Sequence, residues 1–127
     1  MGKIVQGKIS DAKGRLAEAA VEAWYVARGA RCLDRRWRGQ VGEIDLIFQS
    51  GNTLHFVEVK SSGTHDQAAA LLLPRQIARV WSAAEEYLAA ACVARLSVTQ
   101  FDLATVDCTG TVRVLGNIDL SVVNFEN

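Results

Sequence analysis

Proline occurs once in this sequence, at position 74, and no Ser/Pro/Gly tract or block of like charge interrupts the chain. A flexible linker or a long disordered segment is therefore not expected. Long apolar runs are missing too: the longest, Tyr87 to Ala94, is far too short for a membrane span. The opening MGKIVQGKIS has no apolar stretch of the secretory kind. Gln6 stands where a myristoylation signal would need Ser or Thr. A cytoplasmic location is expected. Cysteine is scarce and odd in number: Cys32, Cys92 and Cys108 form no CxxC and no Cys/His pairing for zinc, so they read as reduced core residues.

Excess charge is absent as well. The net charge is zero, which argues against binding nucleic acid by bulk attraction alone. The distribution is uneven: residues 1–38 carry nine Lys/Arg against four acids, a balance of +5 that the remainder offsets with −5. A basic third beside an acidic remainder suits phosphates placed near carboxylates, and it equally suits a dipolar surface with no ligand.

What is present fits one compact domain, residues 1–127, half of them hydrophobic. Ser10 or Asp11 is expected to cap a helix running to about Arg28, with Leu16, Ala20, Ala23, Trp24 and Ala27 as its apolar stripe and Gly29 as its stop. Residues 31–38 read as a strand or extended arm. Two runs of β-formers, Gly42 to Ser50 and Thr53 to Ser61, flank Gly51-Asn52, a two-residue hairpin signal. A loose stretch follows, and then Pro74 opens a second helix with Ile77, Val80, Trp81, Ala84, Tyr87 and Leu88 at helical spacing. Strands at about Val98–Asp107 and Thr111–Leu115 complete the order α-β-β-β-α-β-β, an α/β fold with a mixed sheet and flanking helices.

Closing the hairpin on Gly51-Asn52 pairs Ser50 with Thr53, which sets Asp45 opposite Glu58 and Glu43 opposite Lys60. Strand alternation then puts Glu43, Asp45 and Ile47 on one face with Phe56, Glu58 and Lys60. Directly paired carboxylates repel. A cation between them relieves this, and Mg²⁺ suits a site with one or two carboxylates and room for phosphate. Lys60, two residues from Glu58, can face charge developing on phosphorus, so metal and lysine together suit phosphodiester hydrolysis. The competing reading is a surface ion-pair cluster in which Lys60 neutralises Glu43 and Glu58.

The string Gly42-Glu43-Ile44-Asp45-Leu46-Ile47, followed by Phe56-Val57-Glu58-Val59-Lys60, resembles the YraN-like family of uncharacterised endonuclease-like proteins, related to archaeal Holliday-junction resolvases. The resemblance extends to Gly14 and Glu18, Trp37 and Arg38, Ala84, Tyr87 and Leu88, and Phe101-Asp102. It implies a restriction-endonuclease-like fold and a Mg²⁺-dependent endonuclease, with Mn²⁺ as a substitute, acting on DNA that is branched or otherwise structured. It also implies Asp45 and Glu58 as metal ligands with the Val59 carbonyl as a third, Lys60 as a catalytic residue, and Glu18 reaching the metal or its water from the first helix. Glu43 and Gln76 are candidates for a supporting role around the metal; a solvated Glu18 and a plain surface Gln76 are the alternatives.

Three positions depart from the family pattern. Arg36 replaces the Asn usual before Trp-Arg, Ser62 replaces the second basic residue of Lys-x-Arg, and Gln100 replaces the Arg usual before Phe-Asp. Arg35, Arg36 and Arg38 remain as candidate phosphate contacts. Trp37 beside them could stack on a base or wedge the arm against the sheet, and the wedge is preferred. His55 faces away from Glu58 by parity, and His65 reads as a loop residue without a partner. The alternative function is a nucleic-acid-binding module of the same fold that does not cut. RNA stays open beside DNA, because nothing visibly reads a 2′-hydroxyl. A small nuclease that cuts two strands commonly works as a homodimer, but the sequence marks no interface.

Overall fold

The computed structural model describes residues 2–91 and 98–118. Its elements are α1 (Gly2–Ala27), β1 (Arg31–Arg38), β2 (Glu43–Ser50), β3 (Thr53–Ser61), α2 (His65–Ala69), α3 (Pro74–Ala91), β4 (Val98–Val106) and β5 (Val112–Leu115). The strands form one sheet in the order β1-β2-β3-β4-β5, with β3 and β4 parallel and every other neighbour antiparallel. The chain is thus α/β with a mixed sheet and flanking helices. The short α2 falls in the stretch read as loose, where the Thr64 hydroxyl accepts the Gln67 N–H at 3.1 Å and caps it. No helix among the described residues is long and apolar enough to cross a membrane.

The β2–β3 hairpin closes as the turn signal predicts. Ser50 pairs with Thr53 and the ladder runs back to Leu46 and Val57. Gly51 takes φ +59°, a conformation that costs an L-residue about 1 kcal/mol. On one side of the sheet Ile44, Ile47, Leu54, Phe56 and Phe101 meet Ile77, Val80, Ala83, Ala84 and Tyr87 of α3. On the other, Leu46, Phe48, Val57, Ala104 and Val106 meet Ala17, Val21 and Tyr25 of α1. Burial of each large side chain in these layers stabilises by roughly 1.5–3 kcal/mol.

The first helix departs from expectation in two ways. It begins at Gly2, so Ser10 and Asp11 are interior positions and not caps. Its buried stripe is Ala17, Val21 and Tyr25, whereas Leu16 is 72% exposed and Ala23 and Ala27 also face out. The helix is turned by one residue because Tyr25 has a specific berth: its ring stacks on Phe48 at 4.2 Å and its hydroxyl bonds Asp102. Trp24 sits at the margin, half-buried, with the Arg28 guanidinium 3.7 Å over its ring. The cysteine expectation also needs correction. Cys32 packs partly against the α1-side core, but Cys108 is exposed at the β4–β5 turn. Cys92 lies outside the described residues.

Candidate functional site

Asp45 lies one residue beyond the last ladder pair of the hairpin. Its carboxylate accepts the Val59 N–H at 2.8 Å, which ties the end of β2 to β3. Strict alternation fails here, contrary to the sequence expectation. Ile44 and Ile47 both join the α3-side core while Leu46 joins the other, so the period of two is broken between Ile44 and Leu46, at Asp45. The neighbouring strand shows a matching irregularity: Arg35 pairs with Leu46 and Trp37 with Ile44, so Arg36 stands across from Asp45, and it takes φ +50°.

Glu58 is buried on β3 and shares a hydrogen bond with Asp45. Burial, then the Asp45 charge beside it, pushes the Glu58 carboxyl up to about 8. Burial also raises Asp45, although the Val59 N–H, the bond from Glu58 and the Lys60 charge pull the other way. Lys60 Nζ lies 3.5 Å from Glu58 Oε2. Asp45, Glu58 and Lys60 are therefore brought together, with Val59 between the last two.

Glu18 reaches toward this group from α1. Burial raises its carboxyl, and the nearby Asp45 charge adds to the shift. Its direct partner is Arg36, at 3.0 Å. The other arginines of the arm are engaged likewise, Arg35 with Glu22 at 2.6 Å and Arg38 with Glu43 at 3.0 Å. Glu43 is thus paired with Arg38, and Lys60 with Glu58. Gln76 has a different task from the supporting role considered for it. It lies two residues after Pro74 at the start of α3, and its side-chain oxygen accepts the Leu73 N–H at 3.1 Å, half of a capping box. Trp37 is a wedge: it packs into the α3-side core with its ring 5.3 Å from Tyr87.

The donor set fits a hard cation. Two carboxyls, both resisting charge because of burial and Glu58 also because of the Asp45 charge, gain from a divalent ion between them. Among the described residues no group of three His, Cys, Asp or Glu side chains is arranged as a metal cage. An ion held here would complete its shell from backbone and water, which suits Mg²⁺.

A family model described as uncharacterised protein family UPF0102 matches residues 17–106 of this chain. The chain belongs to the UPF0102 family. A UPF0102 protein of Cereibacter sphaeroides is 42% identical over 113 residues, covering 89% of this chain and 97% of the relative. One from Ruegeria pomeroyi is 44% identical over 104 residues, covering 82% and 85%. One from Roseobacter denitrificans is 37% identical over 115 residues, covering 91% and 89%. This is the YraN-like family that the GEIDLI and FVEVK strings resemble.

Two positions that depart from the resemblance gain a physical account. Asn is among the residues that tolerate positive φ, and the position usually held by Asn is the one where Arg36 takes φ +50°. Gln100 fills the usual Arg position, and its amide donates to Asp102 Oδ1 at 2.8 Å, so it still supplies a donor to that carboxylate.

Asp102 centres a network that the sequence reading did not find. It is 1% exposed and accepts from the Tyr25 hydroxyl at 2.6 Å, Gln100 at 2.8 Å and the Asn117 N–H at 3.2 Å, with His55 Nδ1 at 2.8 Å. Burial opposes its charge, but these bonds win and hold the carboxyl below its usual range. The available signal was a lone acid in the apolar run Phe101 to Val106. His65 also has partners, contrary to expectation: Nδ1 lies 2.7 Å from Thr105 Oγ1 and Nε2 3.4 Å from Asp107.

Proposed function

We propose that this protein is a Mg²⁺-dependent endonuclease of restriction-endonuclease-like fold that hydrolyses phosphodiester bonds in DNA, with branched or structured DNA as the substrate suggested by the resolvase resemblance. The observation that carries this reading is the buried Asp45–Glu58 pair with Lys60 at its edge. A pair of acids pressed together out of water weakens the fold unless it serves something else. Asp45, Glu58 and the Val59 carbonyl would hold the ion, which when bound supplies a Lewis acid and lowers the pKa of water. Asp45 accepts the Val59 N–H and so anchors the Glu58–Val59 peptide, which holds the strand in place at the residue whose carbonyl would join the site. The Lys60 ammonium offers a donor to the charge that develops on phosphorus. Glu18 accepts a proton from water or orients it from the α1 side. Arg35, Arg36 and Arg38 lie on one exposed arm. The pairs of Arg35 with Glu22 and Arg38 with Glu43 leave the guanidinium in water and are screened by salt, so exchanging these glutamates for phosphates costs little. The expected setting is the cytoplasm, and cutting both strands calls for a homodimer.

A binding module without cleavage is the second reading, favoured by one observation: among the described residues only two carboxylates meet closely, since Glu18 is held by Arg36. Incubation with labelled linear, flapped and four-way DNA and matching RNA, in Mg²⁺, Mn²⁺ or EDTA, separates the two. Metal-dependent cutting of DNA is expected. Binding to DNA without product under every metal condition would leave the module.

A further inference from the structure

One cavity among the described residues does not enclose Asp45, Glu58 or Lys60. It opens one residue past Lys60, at Ser61 and Ser62, and has a volume of about 620 Å³. It lies at the carboxyl ends of the two parallel strands, β3 and β4, where open α/β sheets hold ligands. Two backbone bonds fix its rim there, Ser62 N–H to the Val106 carbonyl at 3.1 Å and Cys108 N–H to the Gly63 carbonyl at 3.3 Å.

The lining is divided by chemistry. Leu16, Ala20 and Val106 give an apolar floor, and Lys13, Ser61 and Ser62 give a cation and two hydroxyls, that of Ser62 reaching the Gln67 side-chain oxygen at a long 3.5 Å that a phosphate would displace. Lys13 has no ion pair among the described residues, whereas Arg35, Arg36 and Arg38 each hold a glutamate. Asp107 also borders the space, but one of its oxygens takes Thr109 N–H, the Thr109 hydroxyl and Thr111 N–H, and the other faces His65. Its charge is committed to the turn.

We infer that this cavity binds the sugar-phosphate backbone of a DNA strand beside the bond that is cut, with a phosphate at Lys13, Ser61 and Ser62 and the deoxyribose over the apolar floor. The inference rests on the nuclease reading and narrows its substrate. A ribose would set its 2′-hydroxyl over Leu16, Ala20 and Val106, whose side chains offer it no partner, which favours deoxyribose. The position also follows from the chain: Ser61 adjoins Lys60, and Ala17 in the same wall adjoins Glu18.

Cys108 lines the cavity with an exposed thiol and serves as a reporter. Its modification by a maleimide, followed by peptide mass, is measured in EDTA at low salt with a single-stranded DNA oligonucleotide, the matching RNA, or inorganic phosphate. DNA is expected to slow modification several-fold, RNA less, and phosphate least. Lys13→Glu should melt like the wild type, keep the unprotected rate and lose the protection by DNA. Saturating DNA that leaves Cys108 at its unprotected rate overturns the assignment, as do equal protection by RNA, protection that survives Lys13→Glu, and failure to bind DNA at all. Cleavage in Mg²⁺ is scored in parallel. Cutting without protection removes the cavity and leaves the nuclease, whereas protection without cutting removes the nuclease and leaves the cavity.

Discussion

Glu58 carries the strongest electrostatic stress of the site, and its consequence is a dependence on pH. Burial and the Asp45 charge raise its carboxyl from 4.5 to about 8. A group with a raised folded pKa favours the fold while protonated, fully so below the unfolded value, and that contribution disappears as pH climbs through the folded value. In EDTA the wild type should therefore lose melting temperature relative to Glu58→Gln as pH rises from about 5 to about 9. Parallel pH dependences for the two proteins would show that Glu58 ionises normally. Lys60 makes a second claim. Lys60→Ala should abolish cleavage and leave DNA affinity largely intact, because affinity for phosphates resides mainly in other cations. Single-turnover cleavage beside a binding titration checks this, and cutting at the wild-type rate removes lysine from the chemistry. These residues were legible in the sequence because their spacing in a hairpin is fixed by Gly51-Asn52, and the register followed. Asp102 was not legible, since its partners Tyr25 and His55 lie 77 and 47 residues away and no local pattern joins them.

At the scale of elements, legibility depended on whether local rules or distant partners decide. The Gly51-Asn52 hairpin and α3, opened by Pro74, follow local rules and stand where the pattern predicts. The stripe of α1 does not, because large apolar residues such as Leu16 and Trp24 mark one face while the Tyr25–Asp102 bond turns another inward. Alternation also failed at Asp45, where β1 carries a positive φ at Arg36 that no sequence period announces. The β1 arm yields a prediction of its own. Replacing Arg35, Arg36 and Arg38 together with alanine should weaken DNA binding and reduce the slope of log affinity against log salt by up to about 0.9 per lost phosphate contact. Binding isotherms across a salt series measure it. A triple variant with the wild-type slope would mean that the arginines stay with Glu22, Glu18 and Glu43 when DNA binds.

For the molecule as a whole, the acidic pair couples stability to metal. Asp45 and Glu58 sit at the end of the β2–β3 ladder between two core layers, so once the pH passes about 8 and both are ionised their repulsion acts on the folded state. Asp45→Asn removes a charge from this pair, and above that pH the metal-free variant should be as stable as the wild type or more so. Added Mg²⁺ stabilises the wild type by RT ln(1 + [Mg²⁺]/Kd), about 1.4 kcal/mol at ten times the dissociation constant. The variant lacks one ligand and should gain little, so the two melting temperatures converge or cross as Mg²⁺ rises. A purely structural cluster predicts the reverse. Asp45 would then act through its bond to the Val59 N–H at 2.8 Å and through the Lys60 charge, and the amide variant would be weaker at every Mg²⁺ concentration. Thermal melts of both proteins at a pH above about 8, in EDTA and across a Mg²⁺ series at fixed ionic strength, separate these outcomes. Should Asp45→Asn melt well below the wild type in EDTA, with neither protein responding to Mg²⁺ or Mn²⁺, the acids hold the hairpin end together and the nuclease reading fails.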